Sequence, residues 1–453
     1  MKKYLSYGHL LVGLVICATT ASTQAGVSSE EAEKLKSELT PLGAERAGNK
    51  DGTIPAWTGG MTVPIKGDKP GGTRGDPFAN DKPKFSIDAK NADQYSDKLS
   101  EGVMALLKKY PEYRLDVYET RRTAAAPQWV YDNTFKNATR ASMKDDVPVG
   151  AFGGPPFPIP KTGAEVMANH VLRWRGTTVF QEASLWQITA DGRPVLTNDA
   201  SSTAEYPYYY PEGTAEEFAK NPEYYLVRVD SSAPAIRAGE AIVGRNNIYG
   251  DKTQAWVYLT GQRRVRKVPN VCCDTPSPVT AGLLTFDEHE VFDGRLERMD
   301  FKIVGKKEMY IPYNGNRMLQ PKKPLDVIGA HYPKPETMRW ELHRTWVVES
   351  TVRQGYRHQA KRSRYYCDED TWICALADRW DANGQLWKTL WANPIVAPDL
   401  PGVVMSSFGF NDLLSGSAYI SSLHNGKPAQ YVIKPRSPKD LFTPESMASG
   451  SIR

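Results

Sequence analysis

The chemistry open to this chain is narrowed first by its histidines and carboxylates. There are seven histidines. His170, His289, His331, His343, His358 and His424 are scattered, and His9 sits near the N-terminus. Only His289 is flanked tightly by acids, in Glu288-His289-Glu290. Such a triplet can move protons or ligate a metal. Beside Asp287, however, it reads as a solvated turn. Asp368, Glu369 and Asp370 form a second acidic run, of a type that could act on envelope polysaccharide. Their place between two strand-like runs again makes solvated turn carboxylates the simpler reading. No Gly-x-x-x-x-Gly-Lys-Ser/Thr phosphate loop, His-Glu-x-x-His zinc helix or Gly-x-Ser-x-Gly nucleophile elbow occurs. The expectation is therefore no enzyme, no catalytic residue, no metal site and no cofactor.

The first residues set the compartment. Lys2 and Lys3 precede an apolar run from Leu10 to Ala18, and small and polar residues follow to Ala25. This is the layout of a secretory signal peptide cleaved after about Ala25. The apolar run is too short to span a bilayer. Bulky Ile16 before Cys17 argues against a lipoprotein anchor. The expected location is the periplasm, free or associated with the outer membrane, with no transmembrane segment in the mature chain. Four cysteines then remain, Cys272, Cys273, Cys367 and Cys374, in a compartment that permits disulfides. Cys367 and Cys374 flank a polar turn and are a possible bridge across a hairpin if the register lets their side chains meet. The Cys-Cys and Cys-x6-Cys spacings do not match paired Cys-x2-Cys zinc ligands.

With 40% hydrophobic and 24% charged residues over 453 positions, the mature chain is expected to be globular. The net charge of +5 gives no more than weak attraction to anionic surfaces. Arg263-Arg-Val-Arg-Lys267 alternates as a half-exposed strand does. Arg357–Arg364 fills a hairpin tip. Neither points to nucleic acid. Aromatic residues are the remaining lead. Trp186, Trp256, Tyr258, Trp346, Trp380 and Trp387 lie in or beside strand-like runs. They are candidates to line an apolar ligand pocket, against the alternative of ordinary core filling.

The elements that must position these residues can be read coarsely. Ser28 with Glu31, and Thr162 with Glu165, form capping-box patterns that open helices. A further helix fits Tyr95 to Tyr110, with Leu99, Val103, Leu106 and Leu107 on its apolar face. Tyr113–Tyr118 and Gln128–Phe135 read as strands. From about Thr177 the pattern is β, including a hairpin of Gln254–Thr260 with Arg263–Val268 and a turn at Asp381-Ala-Asn-Gly384. The expected divisions are 1–25 (leader), 26–160 (helical and Gly/Pro-rich), 161–435 (antiparallel sheet) and 436–453 (tail), with a stiff Pro-rich connector at 153–160.

Four stretches resemble one bacterial family of exported proteins. They are Leu39–Gly60, Phe292–Glu308, Arg339–Glu349, and Asp368-Glu-Asp-Thr-Trp372 with Asp378-Arg-Trp-Asp381. The chain is similar to domain-of-unknown-function family 1329, whose members are described as similar to outer-membrane lipoprotein-sorting proteins. The resemblance implies a mainly β fold with flanking helices (α+β). It would be a curled antiparallel half-barrel like LolA and LolB, with helices in its mouth, plus an irregular N-terminal extension. It implies a periplasmic carrier for a lipid, a lipid anchor or a sterol-like molecule, in lipid transport or lipoprotein sorting. It also implies a possible association with an inner-membrane export pump or an outer-membrane protein. The alternative is an adaptor for such a pump or an outer-membrane barrel, without cargo. No catalytic residue is carried over.

Overall fold

A computed structural model describes residues 26–69 and 71–450. The leader assigned to residues 1–25, with His9 and Cys17, lies outside the described residues. Helix α1 (Ser29–Glu33), strand β1 (Phe85–Ile87), helix α2 (Glu101–Lys109), strand β2 (Leu115–Val117), helix α3 (Gln128–Arg140), strands β3 (Ser142–Lys144) and β4 (Val147–Val149) and helix α4 (Gly163–Val171) precede the main β region. There follow β5 (Thr178–Ile188), β6 (Pro194–Glu205), helix α5 (Ala215–Lys220), β7 (Glu223–Ala233), β8 (Ala241–Asn247), β9 (Gln254–Leu259), β10 (Arg264–Lys267) and β11 (Met299–Pro312). Then come β12 (Trp340–Val352), β13 (Arg362–Asp368), β14 (Cys374–Trp380), β15 (Leu386–Ala397), β16 (Gly402–Asp412), β17 (Ala418–Leu423), β18 (Val432–Ile433) and helix α6 (Pro444–Gly450).

One large curved sheet takes 16 of these strands, in the order β1-β2-β12-β13-β14-β15-β16-β17-β5-β6-β7-β8-β9-β10, with β11 beside β12 and β18 beside β5. The pairings are antiparallel apart from the short β2–β12 contact, which is parallel. The order is open at β1 and β10, so the sheet is not closed into a barrel. The mainly β class with few helices is as the sequence reading expected.

Both faces of the sheet's middle are covered. Val348, Tyr365, Ala377 and Leu390 belong to one apolar cluster, and their chain neighbours Val347, Tyr366, Leu376 and Trp391 to another. Successive side chains on a strand point to opposite faces, so the two clusters are the two sides of β12–β15. Val130 of α3 and Val166 and Met167 of α4 close the first side. Ile54 and the α2 residues Val103, Leu106 and Leu107 close the second. Residues 26–160 are thus built into the sheet. Val117 of β2 pairs with Trp340 of β12, and the connector at 153–160 is tied down by Asn137 Nδ2 donating to Gly154 O at 2.9 Å and by Asn169 Nδ2 donating to Phe157 O at 2.7 Å.

Two local readings are corrected. Gln128–Phe135 is not a strand but the start of α3. Val130, Thr134, Asn137 and Ala138 are its buried residues, at helical spacing. The β-branched and aromatic residues there favour strands, but Thr134 Oγ1 donates to Val130 O and the helix is held by tertiary packing. The helix expected over Tyr95–Tyr110 is split. A 3-10 turn covers Ala92–Lys98, Leu99 is extended, and α2 starts afresh at the Ser100 cap, whose Oγ accepts from Val103 N. The Thr162–Glu165 capping box and the β9–β10 hairpin are observed as expected.

Candidate functional site

The inner face of β5–β7 is paved with small side chains. Register places Val179 opposite Ala204 and Ala204 opposite Val227; Gln181 lies opposite Ser202 and Ser202 opposite Val229; Ala183 lies opposite Ala200. Methyl and hydroxymethyl groups cannot fill the space above a curved sheet, so a groove remains. Met405 and Phe408 of β16, Ser421 of β17 and Tyr431 form its other wall. Residues Val279, Thr280, His289 and Glu290 form a roof, and His289 meets Phe408 edge-on at 4.9 Å. The groove's volume is about 90 Å³. Gln181 Oε1 and Ser406 Oγ face this region buried and without hydrogen-bond partners.

The roof is held at one end by charge. Glu290 pairs with Arg173 and Arg175. Burial opposes its ionisation, but Arg175 and then Arg173 hold the carboxyl well below the ordinary carboxylate range. His170 of α4 ties the roof to the sheet. Its Nδ1 accepts from Cys374 N–H at 3.0 Å, which leaves Nε2–H to donate to Glu290 O at 3.1 Å. Burial, then Arg173, pushes His170 down to about 3, so it stays neutral. The Arg175 guanidinium also lies over Tyr206, which stacks on Tyr225 at 5.2 Å.

None of the six aromatic residues singled out from the sequence lines this groove. Trp186 lies on β5 beside the second core, donating to Ser184 Oγ at 2.8 Å. Trp256 and Tyr258 pack at the far end of the sheet with Phe442. Trp346 lies under the Lys306 ammonium at 4.8 Å. Trp380 is covered by Arg362 at 3.7 Å, and Trp387 donates to Asp412 Oδ2 at 3.1 Å. The groove's own aromatics are Tyr206, Tyr225, Phe408 and Tyr431. The one signal for the groove in the sequence is the alternation of small residues on β5 and β6.

Cys367 and Cys374 are joined by a disulfide, and Cys272 is joined to Cys273. The first bridge closes the turn that carries Asp368, Glu369 and Asp370. These three acids, expected to be solvated, are 1%, 2% and 3% exposed. Residues 42–47 cover them: Trp372 Nε1 donates to Leu42 O at 2.8 Å and Arg122 Nη2 to Glu45 O at 2.7 Å. Asp287 and Glu288 are likewise buried. Glu288 accepts from Lys388 Nζ at 2.8 Å and Asp287 from His358 Nε2 at 2.7 Å.

Behind the acidic turn lies a buried polar cluster. Glu341 and His343 of β12 point the same way, two residues apart. His343 Nε2 is 3.1 Å from Glu341 Oε2, and its Nδ1 is 3.8 Å from Asp368 Oδ1. Thr371 N and Oγ1 donate to Asp368 Oδ2 at 2.9 and 2.6 Å, while Oδ1 has no partner. Asp370 is bound by Arg122 at 2.6 and 2.9 Å. Burial, then Asp370, pushes the Asp368 carboxyl up to about 7.

An open, mainly β curved sheet with few helices defines the class of fold. Residues 86–448 match the family model described as Protein of unknown function (DUF1329), and the chain belongs to that family. The Leu39–Gly60 motif lies ahead of the matched segment, whereas the other three stretches fall within it. An uncharacterized protein of Pseudomonas aeruginosa, PA3922, is 34% identical over 97% of both chains. Among solved structures, a DUF1329 family protein from Desulfovibrio piger is similar at 13% identity and a TM-score of 0.42, over 60% of this chain and 92% of that one. A LolA superfamily protein from Nitrosomonas europaea is similar at 12% identity and a TM-score of 0.36, over 63% and 98%.

Proposed function

We propose that this protein works in the periplasm as a binder and carrier of an apolar molecule, a lipid, lipid anchor or sterol-like compound, without chemistry on it. The observation that supports this reading is the groove of Val179, Ala183, Ala200, Ala204 and Val227, with two unpartnered polar atoms at Gln181 and Ser406. Apolar walls with a few polar groups are what small-molecule sites use. The closed groove is small. On this reading the 279–290 roof lifts to admit an acyl chain. Each methylene buried contributes about 0.8 kcal/mol, against association costs of about 4–15 kcal/mol. That balance suits a protein that must also release its cargo. The reading places the protein in lipid transport or lipoprotein sorting within the envelope. Among the described residues no helix is long and apolar enough to cross a membrane.

Native mass spectrometry of the protein purified from its own periplasm tests this. A copurifying apolar mass is expected. A chain that is empty in every preparation, and that takes up no added lipid, favours an adaptor without cargo.

A further inference from the structure

We propose that His343, Asp368 and Asp370 bind one divalent transition-metal cation at a site separate from the groove. The donor atoms of these three buried side chains all lie within 4.8 Å of one another. Two ligands sharing one cation at about 2.0–2.2 Å stand roughly 3–4 Å apart, so small side-chain shifts complete the set.

Glu341 accepts from Arg339 Nε at 2.5 Å and from Asn314 Nδ2 at 2.9 Å, as a carboxylate does. It can therefore only accept from His343, whose Nε2 must carry the hydrogen. Nδ1 faces Asp368 Oδ1 at 3.8 Å, too far for a hydrogen bond. That oxygen is buried and has no donor. In a dry interior this pair needs a proton or a cation between its facing atoms, and a cation that also reaches Asp370 is the occupant proposed. The Glu341–His343 contact is the carboxylate–histidine pairing that orients metal-binding imidazoles.

The surroundings fit the same purpose. Arg122 grips both oxygens of Asp370 and fixes its plane. Tyr313 stacks on His343 at 3.9 Å, and its buried hydroxyl has no partner. The Cys367–Cys374 bridge closes the turn that presents both aspartates. One imidazole with two carboxylates suits zinc and its neighbours rather than calcium or magnesium, which prefer oxygen-only shells. Cys/His spacing did not reveal the site, because its ligands come from one strand and from a turn paired to that strand.

The test uses the full mature chain, stripped with a chelator and titrated with Zn²⁺ alone against a chromophoric competitor. One equivalent is expected to bind. Asp368→Asn and His343→Gln should each weaken it on the order of 100-fold or more. Asp368→Asn should keep the metal-free thermal midpoint, because the amide oxygen can still accept from Thr371 N and Oγ1. Co²⁺ loading should give visible d–d bands in the wild type that are lost in both variants. A wild-type chain that takes up no equivalent of Zn²⁺ or Co²⁺, or variants that bind as tightly as wild type, would overturn the proposal. So would nitrogen NMR showing hydrogen on both ring nitrogens of His343 with Zn²⁺ in excess.

Discussion

Ala183 on β5 and Ala200 on β6 stand directly opposite each other, and neither raises more than a methyl group above the sheet. With Ala204 and Ser202 alongside, this pair leaves the groove open. Replacing Ala200 by Leu should fill it. Displacement of a fluorescent acyl probe should show at least about a tenfold loss of affinity. The stability cost should stay within the ~1–3 kcal/mol of overpacking, read by urea melts.

Glu290 anchors the roof. Its ordinary value is 4.5, and its two arginine partners hold it well lower. As pH falls, the unfolded chain takes up this proton before the folded one. The stabilisation from Glu290 is therefore complete above about pH 5 and is lost progressively below about pH 4.5. Glu290→Gln should remove that acid-side slope. It should also cost about 3–5 kcal/mol at neutral pH, because Arg173 and Arg175 are left buried without a carboxylate. Hydrogen exchange in residues 276–294 should rise in the same variant.

Asp378 has the opposite sign. Burial raises it from 3.8 to about 6, against donation from Gly102 N–H and from Thr389 and Ser100. Between these values the folded chain keeps a proton that the unfolded chain has released, so stability falls as pH rises through that window and is level above it. Asp378→Asn should abolish the slope. It should raise stability above pH 6 by up to about 3 kcal/mol, at about 1.4 kcal/mol per unit.

Gly102 in the first turn of α2 lies against this carboxylate. A Cβ there would sit 2.2 Å from Asp378 Oδ1 and 2.4 Å from Thr389 Cβ. Alanine is favoured over glycine in a helix by about 1 kcal/mol, but the clash should outweigh it. Gly102→Ala should lower stability by about 1–3 kcal/mol, and calorimetry would show the sign.

Period-2 and capping signals in the sequence were enough to place the start of the β region near Thr177, the β9–β10 hairpin and helix α4. The order of the strands was not legible, because β2 and β11 join β12 across long stretches of chain. Nor was the burial of Asp368–Asp370 or of Asp287 and Glu288. A turn is normally wet, and here it is dry only because residues 42–47, Arg122 and Lys388 arrive from far away in the chain. The lining of the groove was not legible for a related reason. A cavity is made where side chains are small, and the alignment of Ala183, Ala200 and Ala204 needs the register.

The central claim is that an apolar molecule enters between β5–β7 and the roof. The most direct test is photo-crosslinking with a diazirine-bearing fatty acid, followed by peptide mapping. Labelling on β5–β7, on Met405 or Phe408, and on residues 279–290, reduced in Ala200→Leu, is the result expected. Labelling confined to Trp186, Trp256, Trp346 or other sites outside the groove, or unchanged by Ala200→Leu, would contradict it.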